Sequence, residues 1–193
     1  MAGMTVEKFL IDFQGERPLR LVMENSLPPR ITQKAFGEVR SLHLELWGIY
    51  DGEPVGKLIS QMPNLESLSL DIEKIGDGEN VEFLVEFFPE LHLKHLQQLS
   101  LRNTDVGPDG LLVFLERHVS HLRQLELLDV RFQNNRQKID FLSILQNAQS
   151  LEHLAVQMAT PILETSAAVV VFTGVVCAQL MTLAGKLGLT GSV

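Results

Sequence analysis

Two histidine pairs spaced three apart, His92 with His95 and His118 with His121, are the residues best suited to ligating a metal, because side chains at i and i+3 share a helix face. A zinc site asks for more. Neither pair carries the glutamate of an HExxH motif, and no cysteine or Asp/Glu set of recognisable spacing accompanies them. The histidines therefore read as polar edges of helices, and no metal is expected. Cys177 is the other reactive side chain, but its surroundings, GVVCAQL, contain no base, and an apolar setting disfavours the thiolate. It reads as an inert, buried thiol. GDGEN at Gly76–Asn80 has the glycines of a turn without the pattern of a phosphate loop. No enzyme activity, cofactor or small-molecule substrate is expected from these residues.

The composition points the same way. The 193 residues fit one domain with ample core material, 45% of them hydrophobic and 21% charged. A net charge of −8 argues against nucleic acid as a partner, since phosphate binding needs a clustered basic surface. The single cysteine excludes an intrachain disulfide, no Asn-X-Ser/Thr sequon occurs, and carboxylates interrupt MAGMTVEKFLIDFQGERPLR before a signal-peptide core forms. These features predict an intracellular protein, cytoplasmic or nuclear.

What such side chains would be mounted on is written in the aliphatic residues. An apolar residue, two variable positions, a leucine, one variable position and a further aliphatic recur as VRSLHL from Val39, LESLSL from Leu65, LQQLSL from Leu96, LELLDV from Leu125 and LEHLAV from Leu151. ERPLRL from Glu16 is a weaker copy, and successive starts are 23, 26, 31, 29 and 26 residues apart. That lies around the period of leucine-rich repeats. Leucines two apart in a strand, such as Leu68 and Leu70, enter the core together while their neighbours face out. Between the strands run helical stripes: Val55, Leu58, Ile59 and Met62; then Val81, Leu84, Val85 and Phe88. PDGLLVFLERHVSHL adds a third helix with Pro108 in its first turn, and KIDFLSILQNAQS a fourth and shorter one. The fold class is α/β, a leucine-rich-repeat solenoid of about six repeats over residues 16–161, with an arc of parallel strands inside and helices outside.

With a full helix per repeat, the chain resembles the ribonuclease-inhibitor-like class of leucine-rich repeats over about residues 16–160. In the stretch LLVFLERHVSHLRQLELLDV it is most similar to the irregular repeats that form the substrate-receptor half of F-box proteins. The ladder position three past the last strand aliphatic reads Trp47, Glu73, Thr104 and Gln133, as in irregular intracellular members of the class. SLPPRITQKAF at Ser26–Phe36 is too short for an F-box, so none is expected. The resemblance implies a non-enzymatic protein-interaction module, with substrate recognition in a ubiquitin-ligase system as one form of it.

In this register the outward strand positions form columns across the concave surface. The middle column reads His43, Ser69, Ser100, Asp129 and Ala155. The column after it reads Glu45, Asp71, Arg102, Arg131 and Gln157, and the one before it Ser41, Ser67, Gln98, Leu127 and His153. Single members of such columns often do no more than keep a sheet solvated. An after-column running from acidic to basic would orient a charged partner, with Arg102 and Arg131 meeting an acidic segment.

The two ends differ from the middle. Residues 1–15 read as an N-terminal cap, with VEKFLIDF a strand or a short helix. At the other end no charged residue occurs from Thr165 to Gly185, a run of 21. Within residues 162–193, AVVVF would add a final strand and VVCAQLMTLAGKL a final helix that cap the solenoid. Residues 165–185 are also long enough for a membrane anchor, which would make the chain a tail-anchored scaffold, and a segment foreign to the domain is a third reading.

Overall fold

The computed structural model describes residues 8–14, 36–47, 52–73, 88–106, 110–158 and 169–173. In chain order these form β1 (Lys8–Gln14), β2 (Ser41–Trp47), α1 (Glu53–Ser60), β3 (Ser67–Glu73), a 3-10 turn (Phe88–Glu90), β4 (Gln98–Arg102), β5 (Asp105–Val106), α2 (Gly110–His118), β6 (Gln124–Phe132), α3 (Asn135–Leu145), β7 (His153–Met158) and β8 (Val169–Thr173). The class is α/β. Five parallel strands, β2-β3-β4-β6-β7, make the body of one open sheet. The strand β1 extends it in parallel at one edge, β8 pairs antiparallel with β7 at the other, and the short β5 pairs with β6.

Alternation decides which face is covered. In β2, Leu42, Leu44 and Leu46 are fully buried while Ser41, His43 and Glu45 are half-buried. Leu68, Leu70 and Ile72 of β3, Leu99 and Leu101 of β4, Leu125 and Leu127 of β6, and Leu154 and Val156 of β7 repeat the pattern. Each such leucine contributes about 1.5–3 kcal/mol by leaving water. Their common cover is helical: Val55, Leu58 and Ile59 of α1, Phe114 and Leu115 of α2 and Phe141 and Leu145 of α3 join the strand leucines in one hydrophobic cluster. Aromatic pairs add to the packing, Phe88 against Phe114 at 5.0 Å between ring centroids along the helical side, and Phe132 of β6 against Phe141 of α3 at 5.4 Å.

The units are also stitched by a backbone ladder that repeats with each strand. The carbonyl of Arg40 accepts from the N–H of Glu66 and Ser67, that of Glu66 from Gln97 and Gln98, that of Gln97 from Arg123 and Gln124, and that of Arg123 from Glu152 and His153. A tight turn precedes each rung: Leu65 N–H donates to Met62, Leu96 to Leu93, Leu122 to His118 and Leu151 to Ala148. Side chains repeat as well. Asn64 donates to the Gly37 carbonyl at 2.7 Å, and Ser150 to that of Ser120 at 2.9 Å.

These equivalences correct the sequence alignment in one unit. The partner of Leu65, Leu96 and Leu151 is Leu122, so the copy is LRQLEL from Leu122 and not LELLDV from Leu125. Leu99 pairs with Leu125 and Leu101 with Leu127, which places Leu127, expected on the open face, wholly inside the core. Apolar residues at Leu122, Leu125, Leu127, Leu128 and Val130 satisfy the pattern in either register, and the turn at His118–Leu122 selects one. The residues that would have matched the other register are absorbed by a bulge: Leu127 pairs with Val156 and Val130 with Met158, leaving Leu128 and Asp129 opposite Gln157 alone. Asp129 takes φ 54° to make it, in the left-handed region that Asp and Asn tolerate best. The ladder position of this unit is then Val130, buried in the core, in place of Gln133.

Other elements also differ from expectation. Residues 8–14 form a strand in register with β2, Phe9 with Leu42, Ile11 with Leu44 and Phe13 with Leu46. Val6, Phe9 and Ile11 carry the repeat spacing, and the neighbour of β2 comes from here and not from the copy at Glu16. The helix α3 is longer than read, 11 residues, because it begins at Asn135. Asn134 caps it, its side chain accepting from Gln137 N–H at 3.0 Å, while the Gln137 amide oxygen accepts from Gln133 N–H at 2.8 Å. The stripe Val81–Phe88 lies outside the described residues except for Phe88, which opens the 3-10 turn. Of the apolar run 165–185, Val169–Thr173 is β8 and the rest lies outside the described residues. No described helix is long and apolar enough to cross a membrane.

Candidate functional site: the open face of the sheet

With helices over one face, the described polar side chains of the strands collect on the other. His43 stands beside Ser69 and Ser69 beside Ser100, while Glu45 stands beside Asp71 and Asp71 beside Arg102. The next strand departs from the expected columns. Glu126, not Asp129, stands beside Ser100, and Leu128, not Arg131, beside Arg102. Arg131 lies past the bulge, in register with Asp105 of β5. On β7, His153 is in register with Gln124 and Ala155 with Glu126. The expected pairing of Arg102 and Arg131 in one column is therefore not formed, because the bulge carries Arg131 out of the shared register.

The face is held by a network of side-chain hydrogen bonds. His43 Nδ1 lies 2.8 Å from Ser69 Oγ and its Nε2 3.3 Å from Glu45 Oε1. Glu126 accepts from Ser100 Oγ at 3.2 Å and Gln124 Nε2 at 2.8 Å, with His153 Nε2 3.6 Å away. Asn103, at φ 55°, turns its amide to donate to Asp71 Oδ1 at 3.0 Å. Gln157 does the same for Asp129 at 3.1 Å. Gln124, Glu126 and Asn103 are the members that sequence reasoning missed. The spacing of Val119 to Leu122, equal to that of Met62 to Leu65, is the signal that could have found Glu126.

Ser69, His43 and Glu45 have the order of a nucleophile, base and carboxylate. Backbone N–H groups around Ser69 are committed to strand pairing on both sides, so they are not turned towards a developing oxyanion. What the arrangement does chemically is fix donors and acceptors on a broad surface.

The histidines first considered for metal binding lie elsewhere. His92 and His95 sit in the connection to β4, outside any helix, with His92 Nδ1 2.8 Å from the Glu90 carbonyl. His118 is no polar helix edge: it is 2% exposed and stacked on Phe114 at 4.1 Å. Its Nδ1 donates to the Phe114 carbonyl at 2.7 Å and its Nε2 accepts from Leu93 N–H at 3.1 Å, which commits both ring nitrogens and requires the neutral ring. Burial pushes its pKa below the usual histidine value, with the nearby cations of Arg117 and the rings of His121 and His92 adding to the effect against the opposing Phe114 hydrogen bond. No described group of three His, Cys, Asp or Glu is placed to hold a metal. Cys177 and Gly76–Asn80 lie outside the described residues.

Comparison of the chain with protein-family models, with curated proteins and with solved structures finds no match in any of the three.

Proposed function

We propose that this chain is a non-enzymatic protein-interaction module, a leucine-rich-repeat solenoid that binds its partner on the open face of the sheet. One observation carries the reading. Five parallel strands in register present polar side chains on the face opposite the helices, and hydrogen bonds between strands hold them in place. Side chains fixed before binding lose little conformational freedom on contact, which is what a recognition surface gains from being rigid. The repeating carbonyl ladder and its matching turns support the solenoid, since each unit then presents equivalent positions to solvent. Recognition of substrates in an F-box-type system is the specific form that the stretch LLVFLERHVSHLRQLELLDV favours.

The test is to cover the face without disturbing the core. Ser69→Trp with Ser100→Trp places two large rings at its centre, and affinity capture with this variant is compared with the unaltered chain and with Ile139→Ser on the exposed side of α3. Loss of captured partners with the tryptophan pair alone is expected. Capture unchanged by the pair would overturn the reading, and an adaptor of the ubiquitin machinery among the retained proteins would establish the F-box form.

A further inference from the structure

We propose that the open face recognises a basic segment of a partner protein, rich in arginine or lysine; this rests on the reading of that face as the binding surface. Its described charged side chains on the five parallel strands are Glu45, Asp71, Glu126 and Asp129 against Arg102 and, past the bulge, Arg131, with His43 and His153 and no lysine. The excess belongs to the face. Along the rim where the strands begin, Arg40, Glu66, Gln97, Arg123 and Glu152 balance in charge, and Arg40 pairs with Glu66.

What distinguishes these carboxylates is the kind of partner each has inside the chain. Asp71 is held by the Asn103 amide, Asp129 by the Gln157 amide, and Glu126 by Ser100 and Gln124. Neutral donors orient a carboxylate and leave its charge in place. Among the described residues no lysine or arginine lies within ion-pair distance of the four; Arg102 stands beside Asp71 in register, and the His43 and His153 rings lie 3.3 and 3.6 Å from Glu45 and Glu126. A cation from outside therefore meets acceptors that are already aimed and not yet neutralised.

The shape and chemistry of the rest of the face restrict the occupant further. Ser41, Ser67, Ser69 and Ser100 are short, so long side chains can lie between the carboxylates with their stems against the sheet. Nucleic acid is repelled by such a surface, and the carboxylates do not converge as a divalent cation would require. The overall charge of −8 steers the same partner at longer range.

The experiment uses the full chain and three labelled synthetic peptides of equal length, one of alternating arginine and serine, one of glutamate and serine, and one uncharged. Binding is followed by fluorescence anisotropy from about 50 mM to about 500 mM salt, a range over which screening shortens from beyond one strand spacing to less than it. The face variant Glu45→Gln, Asp71→Asn, Glu126→Gln and Asp129→Asn keeps one acceptor oxygen at each position; at Glu126, whose two oxygens accept from Ser100 and Gln124, one of the two hydrogen bonds is given up. A control converts Glu53, Glu90, Glu116 and Asp140, on the helical side, to the corresponding amides and changes net charge by the same amount.

The expected result is that the arginine peptide binds, the other two do not, and the face variant loses at least about tenfold in affinity at low salt while the control stays within about twofold. No binding of the arginine peptide, preference for the glutamate peptide, or equal loss in both variants would each overturn the basic-partner proposal. The tryptophan-pair capture experiment separates this from failure of the binding-surface reading. If the pair abolishes capture while the arginine peptide fails to bind, the face is a binding surface for a partner of different charge. If the pair leaves capture intact, the surface reading itself falls.

Discussion

Replacing Leu127 by alanine, and Leu128 by alanine in a second variant, measures which of two adjacent leucines β6 turns into the core. Leu127 is wholly buried among the strand leucines and stands between Leu101 and Val156, whereas Leu128 is half-buried on the open side of the bulge beside Arg102. Truncating a leucine at a fully buried site removes its transfer free energy and leaves a cavity that close-packed neighbours refill poorly, a cost of about 2–5 kcal/mol. Leu101 and Val156 are held in register by their own ladders, so little collapse is available and a value near 3 kcal/mol is expected, about a hundredfold in the ratio of folded to unfolded chain. For a domain of this size that lowers Tm by roughly 6–12 °C. Leu128→Ala, at a site that water already reaches, is expected to cost less than about 1 kcal/mol. Urea unfolding followed by circular dichroism reads both, with hydrogen exchange at Leu125 and Val130 reporting whether the loss is local to β6. If Leu128→Ala proves the costlier change, β6 pairs with β4 in the alternative register, and the assignment of Glu126 to the open face fails with it.

His118 gives the chain an acid sensitivity whose sign follows from its environment. Its folded-state pKa lies below the unfolded value, near 6.5 for a free histidine, so the unfolded chain takes up the proton first. The stability due to the neutral ring is fully present above the unfolded value, falls as pH drops below it by up to about 1.4 kcal/mol per pH unit, and levels off below the depressed value. Urea midpoints between about pH 7.5 and pH 5 are expected to fall less steeply in His118→Gln, which keeps an acceptor for Leu93 N–H; equal slopes would show that His118 is not the group responsible. Asn134→Ala removes the side-chain cap of α3 and is expected to cost about 1 kcal/mol, with Asn134→Ser restoring most of it; no loss by thermal unfolding would mean that Gln137 alone secures the helix start. Asn103→Ala puts a side chain poorly suited to φ 55° into that turn and removes the amide that orients Asp71, for an expected loss of about 1–2 kcal/mol, whereas Asn103→Gly is expected to relieve the backbone part alone. Equal stability of the two variants would assign the whole effect to the Asp71 hydrogen bond.

Much of the fold was legible because its signal is local and redundant. The aliphatic pairs of β2, β3, β4 and β7, two apart and preceded by an apolar turn residue, specify strands with one buried face whatever surrounds them. The stripe Val55, Leu58, Ile59 and Met62 does the same for α1, and all four are buried. The outward residues of those first strands, His43, Glu45, Ser69, Asp71, Ser100 and Arg102, follow by parity alone. Where aliphatics occupy every candidate position, as from Leu122 to Val130, parity no longer decides, and two registers satisfy the same pattern. Only the tertiary structure chose between them. The Arg123 and Gln124 N–H groups must meet the Gln97 carbonyl for the ladder to continue, and that contact joins residues 26 and 27 apart. Its consequence is a bulge at Leu128 and Asp129 that buries Leu127, brings Glu126 onto the open face and carries Arg131 away from Arg102. Residue types and their spacing thus determined that a strand runs through this segment and that one of its faces is apolar. Which charges meet across the finished surface was decided by hydrogen bonds between strands, because register is a property of the pair and not of either strand alone.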